Sequence, residues 1–398
     1  MFISLKRIVY KTTKLAEAKE WYVKILGIQP IFDSPFVVIF NINGCSLSLS
    51  KINHAVSDIP ETTEIYWEVD NIDETYQRLI ENNAKVHTPI KDIMNIRIAK
   101  VIDPFGNIIG LSGNQTAIKE RTVEKRPSET ALNVAFCRAL AFKDEREEIK
   151  GPDYLAELFL NEDAKKALKD NSSRIWTIKN LITSPLYGYL LSRTEYIDDI
   201  YKKQLSDNIP QIVLLGAGYD TRAFRYSELL KNTRVFELDI SSTQNNKIDI
   251  LKNSNIKIPE QLSFVNVNFK HDNLADELLK SGYNEKEKTL FIWEGVTYYL
   301  QEEAITNTLQ FIHNHSDNES LVCFDYLTNN IDSINPAEPF LFWIDSKEIE
   351  QMLTKHSFRL IENITPQEME KKYLTLKDGS IAEKTLPFFC LATAKVVK

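Results

Sequence analysis

The run Gln211-Ile212-Val213-Leu214-Leu215 stops abruptly at Gly216-Ala217-Gly218, and this junction constrains the fold more than any other stretch of the chain. A short, continuous apolar run reads as a strand covered on both faces, the situation of a parallel sheet in an α/β domain. Glycines directly after such a strand give a turn without side chains, so that a ligand can approach the backbone. By itself the pattern equally suits a tight strand–helix turn that needs only positive φ.

Asp239 adds context. It ends the next strand-like run, Arg234 to Asp239, 21 residues beyond Gly218, where a carboxylate can accept hydrogen bonds from both ribose hydroxyls of a nucleoside. The alternative for Asp239 is an ordinary solvated strand end. Nicotinamide-binding folds share the arrangement, but their third glycine would fall at position 221, which is Thr221.

The surrounding pattern supports an α/β domain. Residues from Ala131 to Lys203 read as mostly helical. From Gln211 onward strands alternate with helices, at Gln211 to Leu215, Arg234 to Asp239, Ser263 to Asn268, Thr289 to Trp293, Ser320 to Tyr326, Phe358 to Thr365 and Phe388 to Val396. A chain of 398 residues exceeds what one core usually fills, which leaves room for a separate N-terminal domain.

That domain is expected over residues 1–115, with 116–129 as a solvated linker and 130–398 as the second domain. Ser4 to Tyr10 reads as a strand and Leu15 to Leu26 as an amphipathic helix ending at Gly27. Pro35 to Asn41 and Ser46 to Ser50 read as a hairpin around Asn43-Gly44. The order recurs with Glu64 to Val69, a helix over Ile72 to Asn82, and Ile96 to Ile102 with Asn107 to Leu111 flanking Asp103-Pro104-Phe105-Gly106. The implied design is α+β, two βαβββ units repeating at about 55 residues.

Glu20-Trp21-Tyr22 with Leu26-Gly27, Val69-Asp70-Asn71-Ile72 and Asp103-Pro104-Phe105-Gly106-Asn107 resemble the vicinal oxygen chelate superfamily of glyoxalases and bleomycin-resistance proteins. The resemblance implies metal ligands at places that here correspond to Arg7, Glu64 and Gly110. A guanidinium cannot ligate a cation and glycine has no side chain, so no metal is expected. A small-molecule cup or a dimerisation module is the expected role, and a homodimer through this domain is a possible partner arrangement.

In the second domain, the string Gly216-Ala217-Gly218-Tyr219-Asp220-Thr221-Arg222-Ala223-Phe224-Arg225 together with Phe236-Glu237-Leu238-Asp239 resembles the leucine carboxyl methyltransferase family. Arg193-Thr194 with Ile197-Asp198, and Trp293-Glu294-Gly295-Val296-Thr297-Tyr298-Tyr299-Leu300, extend the resemblance over residues 130–398. Thr130-Ala131-Leu132 with Arg138-Ala139-Leu140 fits it as well.

The resemblance implies a seven-stranded Rossmann-like sheet with N-terminal helices and S-adenosylmethionine as cofactor. It also implies that Arg193 holds the methionyl carboxylate and Arg138 supports the same end, that Gly216 and Gly218 pass close to the cofactor, and that Asp220 orients the loop. Asp239 would take the ribose and Glu294 the amine or sulfonium side. At Asn268-Phe269 the family more often has an aspartate first, accepting from the adenine amino group; asparagine keeps a carbonyl acceptor but loses charge assistance. For Arg193, Arg138 and Glu294 the structural alternatives are helix-surface arginines and a salt-bridged acid.

The chemistry then follows from the cofactor. A sulfonium already activates the methyl group, so the protein chiefly aligns the reactants and excludes water. A carboxylate acceptor is ionised at neutral pH and needs no base, whereas a hydroxyl usually wants one. No histidine falls in these motifs: His271 reads as a loop residue, and His313 with His315 as an exposed turn. This favours carboxyl O-methylation of a small molecule, with Tyr298 as the candidate for orienting the acceptor. The competing reading is a non-catalytic binding or resistance protein that uses the N-terminal cup.

Composition narrows the partners. Forty-eight Lys and Arg face 56 Asp and Glu, a net charge of -8 that disfavours nucleic acid in the absence of a basic stripe. Cys45, Cys137, Cys323 and Cys390 are scattered, and no apolar run approaches the ~20 residues that span a bilayer. A cytoplasmic protein without a membrane partner is expected.

Overall fold

The computed structural model describes residues 7–42, 45–51, 65–93, 96–114, 127–269, 272–331 and 339–398. The chain divides into two units, Met1–Lys119 and Glu120–Lys398. The expected Asn43-Gly44 turn, Glu64, His271 and most of the linker lie outside the described residues, as does the Arg7 side chain.

The N-terminal unit carries two βαβββ repeats. The first comprises β1 (Arg7–Thr12), the helix Leu15–Leu26, β2 (Phe32–Asp33), β3 (Val37–Ile42) and β4 (Cys45–Lys51). The second comprises β5 (Tyr66–Glu68), the helix Ile72–Glu81, β6 (Lys85–Ile93), β7 (Ile96–Ile102) and β8 (Ile108–Asn114). Each repeat forms its own four-stranded sheet, ordered β1-β4-β3-β2 and β5-β8-β7-β6.

Gly27, at φ 69°, closes the first helix by donating its N–H to the Val23 carbonyl, and Asn71 caps the second by accepting from Glu74. Their inner faces join one apolar core that includes Tyr22, Phe40, Leu79 and Val101. The Asp103 turn is structural: the carboxylate accepts from the amides of Phe105 and Asn107 and, at 2.8 Å, from the Tyr22 hydroxyl.

In the C-terminal unit, β9 (Gln211–Leu215) is central. It pairs in parallel with β10 (Arg234–Asp239) and with β12 (Thr289–Trp293). Beyond them lie β11 (Leu262–Asn266) and β13 (Leu321–Leu327). The antiparallel β15 (Phe389–Val396) sits between β13 and the edge strand β14 (Phe358–Ile364), giving the order β11-β10-β9-β12-β13-β15-β14.

This is the seven-stranded Rossmann-like sheet, and all five residues of β9 are buried, as the apolar run Ile212 to Leu215 demands, with the Gln211 side chain bonded to Asn284 and Thr289. Val213, Phe236, Phe291, Trp293 and Phe324 share one core cluster. The stretch before the sheet is helical in pieces: Glu129–Phe142, short turns, Asn171–Thr177, a π-turn at Ile178–Ile182, and the long helix Ser184–Ser206.

Candidate functional site

The site forms at the carboxyl ends of β9, β10 and β12, where apolar strands give out and polar residues begin. Gly216 and Gly218 both have positive φ, 74° and 52°. The amides of Gly216 and Ala217 donate to the Leu238 carbonyl, folding the turn back over the end of β10. A Cβ on Gly216 would lie 2.7 Å from a Val296 methyl, so the turn has no room for a side chain.

Asp239 stands at the rim of this turn. One carboxylate oxygen accepts from the Gly218 amide at 2.6 Å and the other from its neighbour Ile240 at 2.7 Å. Burial pushes its pKa up, while those two amides pull against the rise. The carboxylate is therefore fixed in direction by the very loop it faces.

A cleft of about 210 Å³ opens here. Of the residues singled out in the sequence, Arg138, Arg193, Gly216, Gly218, Asp220, Asp239, Phe269 and Glu294 line it. Asn268 and Tyr298 are not among its lining residues; Phe269 and Tyr299, their neighbours, are. Asn268 donates its backbone amide to Asp272 at 2.7 Å, in a turn beyond the end of β11, and its neighbour Phe269 is the one of the pair that lines the cleft.

Behind the lining residues runs a chain of charge. Arg222 joins Asp198 at 2.6 Å, Glu294 at 2.8 Å and Asp220, whose carboxylate also accepts the Arg222 amide at 2.7 Å. Arg225 and the Tyr226 hydroxyl complete the shell of Asp198, each at 2.6 Å. Burial pushes Asp198 and Asp220 up, but neighbouring charges, Arg222 foremost, outweigh it and hold both below the ordinary carboxylate range.

Arg193, from the middle of the helix Ser184–Ser206, reaches Glu294 at 3.0 Å and Asp325 at 2.9 Å. Burial works against its charge, yet Tyr189, Asp325 and Glu294 raise its pKa well above the usual value. It is no helix-surface arginine. Nor is Arg138, which is buried, donates to the Tyr219 carbonyl at 2.6 Å and pairs with Asp153 at 2.9 Å, bracing the glycine turn from behind.

Tyr298 is buried against Phe340 and Phe389, with its hydroxyl 3.3 Å from Arg193. Burial, then Asp325, holds its phenol well above the ordinary value, so the hydroxyl stays protonated. Leu341 donates its amide to the Tyr298 carbonyl at 2.7 Å.

Three participants went unassigned in the sequence: Asp325, Arg222 and Asp198. A signal existed for the first. Leu321-Val322-Cys323-Phe324-Asp325 is a buried apolar strand that runs into an acid, the same pattern that marks Asp239 and Glu294.

In the N-terminal unit, a Cβ on Gly110 would fall 2.5 Å from the Ile65 carbonyl oxygen, so the sheet itself excludes a ligating side chain there. Among the described residues no group of three or more His, Cys, Asp or Glu is placed to hold a metal. No described helix is long and apolar enough to cross a membrane.

Residues 131–313 match the family described as leucine carboxyl methyltransferase, and residues 4–111 match the glyoxalase, bleomycin resistance protein and dioxygenase superfamily. The chain thus joins a glyoxalase-type domain to a methyltransferase domain. Over 246 residues it is 28% identical to the "Putative S-adenosyl-L-methionine-dependent methyltransferase YktD" of Bacillus subtilis, covering 58% of this chain and 80% of that one.

A Streptomyces avermitilis protein of the same description is 30% identical over 180 residues, covering 44% of this chain and 60% of its own. A Frankia alni relative, also so described, is 30% identical over 121 residues; this chain spans 42% of its length. Among solved structures, a glyoxalase-related enzyme from Fulvimarina pelagi aligns with 28% of this chain and 89% of its own, at 19% identity and a TM-score of 0.25. An O-methyltransferase of Brevibacillus brevis in complex with S-adenosyl-L-homocysteine covers 56% of this chain and 79% of its own, at 13% identity and a TM-score of 0.38.

Proposed function

We propose that this methyltransferase, dependent on S-adenosylmethionine as its family and relatives are, transfers the methyl group to the oxygen of a small-molecule acceptor, a carboxylate in preference to a hydroxyl. The observation that carries the reading is the shared cleft. At one side Asp239 presents a fixed acceptor for vicinal hydroxyls, and Arg193 with Glu294 offer a cation and an anion 3.0 Å apart on the same wall. A nucleoside joined to an amino-acid zwitterion has that distribution of groups.

The residues fit such a cofactor. Gly216 and Gly218 leave the backbone bare beside it, and Asp220 holds the turn through Arg222. Phe269 offers its ring to the base, with Asn268 outside the cleft. Arg193 would face the methionyl carboxylate, Glu294 the amine, and Arg138 keeps the turn in place from beneath. When bound, the cofactor supplies an activated methyl on a sulfonium; what remains for the chain is alignment and exclusion of water.

The acceptor preference rests on what the wall lacks. Among the described lining residues there is no His, Lys or Cys, and the carboxylates Asp220, Asp239 and Glu294 are each engaged by an arginine or by backbone amides. A carboxylate acceptor arrives ionised and needs no proton removed, whereas a phenol or alcohol requires a base. Tyr298 would act only through Arg193, whose guanidinium donates to its hydroxyl.

Calorimetric titration of S-adenosylmethionine and S-adenosylhomocysteine into wild type and Asp239→Ala tests the cofactor site. Micromolar binding that the substitution abolishes is expected, and a folded wild type that binds neither overturns the reading. Turnover with carboxylic acids and phenols of matched size, followed from pH 6 to 9, tests the acceptor. A flat profile with the acids is expected; turnover of phenols alone, rising with pH, would reverse the preference.

A further inference from the structure

We infer that Asp325 is the positioning residue for the methionyl end of the cofactor cleft, acting through Arg193 on one side and through the Glu294–Gly295 turn on the other. The inference rests on the cofactor reading above. Asp325 lies beyond the segment that matches the methyltransferase family and is not among the residues lining the cleft.

Its side chain is fully buried near the end of β13. A carboxylate there is tolerated only if its lone pairs are taken up, and two polar elements do so from opposite directions. Oδ1 accepts the Gly295 amide at 2.7 Å, at the residue that follows Glu294 and turns the chain with φ 71°. Oδ2 accepts Arg193 Nη1 at 2.9 Å, the Tyr189 hydroxyl at 2.5 Å and, more distantly, the Tyr298 hydroxyl at 3.4 Å.

One carboxylate therefore sets both groups proposed to meet the amino-acid portion. The cation is held directly, and the anion through the backbone one residue after it. Gly295 tightens the coupling, because a Cβ there would lie 3.2 Å from Arg193 Nη1. The nucleoside end is fixed separately, since Asp239 takes its orientation from Gly218 and Ile240.

An amide cannot replace this carboxylate. With its oxygen toward the Gly295 amide, an asparagine would turn its NH₂ on the Arg193 guanidinium, which has no acceptor, leaving only the Tyr189 hydroxyl able to take it; with the oxygen toward Arg193, the NH₂ would meet the Gly295 N–H. Either orientation releases one of the two groups from its place.

The test compares a ligand that carries the amino-acid end with one that does not. S-adenosylhomocysteine and 5′-methylthioadenosine are titrated into the full-length wild type, Asp325→Asn and Tyr189→Phe, with thermal unfolding of each variant recorded in parallel. For Asp325→Asn, affinity for S-adenosylhomocysteine falls at least tenfold while that for 5′-methylthioadenosine stays within twofold. Tyr189→Phe, which removes one donor and leaves the charge, gives a two- to fivefold loss confined to S-adenosylhomocysteine, and decides the matter if Asp325→Asn does not fold. Equal losses for both ligands, or no loss for either, overturn the inference. A wild type that binds neither ligand removes the cofactor reading and this inference with it, whereas binding by wild type with equal losses in the variants removes the inference alone.

Discussion

Arg222 Nη1 lies 2.8 Å from Glu294 Oε2, although 72 residues separate them in the chain. The same guanidinium also engages Asp198 and Asp220, so one fully buried cation ties together the long helix, the glycine turn and the end of β12. Removing it takes a partner from three carboxylates in a site of low exposure, and Asp220 loses its ion pair altogether, while Asp198 keeps Arg225 and Glu294 keeps Arg193.

Arg222→Met should therefore destabilise the C-terminal unit by about 3–5 kcal/mol, the range seen when one partner of a buried ionic network is deleted. Arg222→Lys should recover only part of that loss, since a point charge cannot replace a planar fork that bridges separate acids. Urea unfolding of the three proteins measures both differences. A loss below about 1 kcal/mol for the methionine variant would show that the network contributes little.

The glycine turn makes a steric prediction that can be split into its parts. Gly216→Ala places a Cβ 2.7 Å from Val296 Cγ2 and forces an L side chain into φ 74°. The backbone part alone costs roughly 1–2 kcal/mol. Adding Val296→Ala relieves the contact but not the φ, so the double variant should regain some, though not all, of the stability lost by the single one. Thermal unfolding with and without S-adenosylhomocysteine reads out the result; identical midpoints for single and double variants would mean that the clash is not what excludes a side chain.

The parts of the fold legible in the sequence are those whose burial leaves a one-sided signal. β9, β10 and β12 are legible because strands covered on both faces are largely apolar, and the one charge inside β10, Glu237, is buried against Lys247. β2 and β6 escaped notice for opposite reasons: Phe32–Asp33 is two exposed residues long, and β6 contains Pro89 and pairs with β7 through two register shifts.

At the site, residues that close a strand were readable, and those defined by contact were not. β11 stops at Asn266, paired with Asp239, so Asn268 lies in the turn beyond and not at the strand end expected for it. Tyr298 and Tyr299 are adjacent on a 3-10 turn, and composition cannot tell which ring faces the cleft. The partners of Asp325 come from β12's exit turn and from a helix more than 130 residues earlier, a separation that no local pattern reports.

Glu195 offers a pH-dependent test. It sits on the helix that carries Arg193, where burial first and the nearby charges of Asp198 and Asp199 next push its carboxyl up to about 7, against the ordinary value of 4.5. Between those values the native state keeps a proton that the unfolded chain has released, so this group makes stability fall as pH rises from about 4.5 to 7 and adds no further change above. Glu195→Gln carries no charge at any pH. Its advantage over wild type should be absent at pH 4.5, grow through the window and level off above pH 7 at roughly 1–3 kcal/mol. Denaturant unfolding of both proteins at pH 4.5, 6 and 8 measures it, and an advantage that stays constant across the three would show that Glu195 ionises in the folded protein as it does in the open chain.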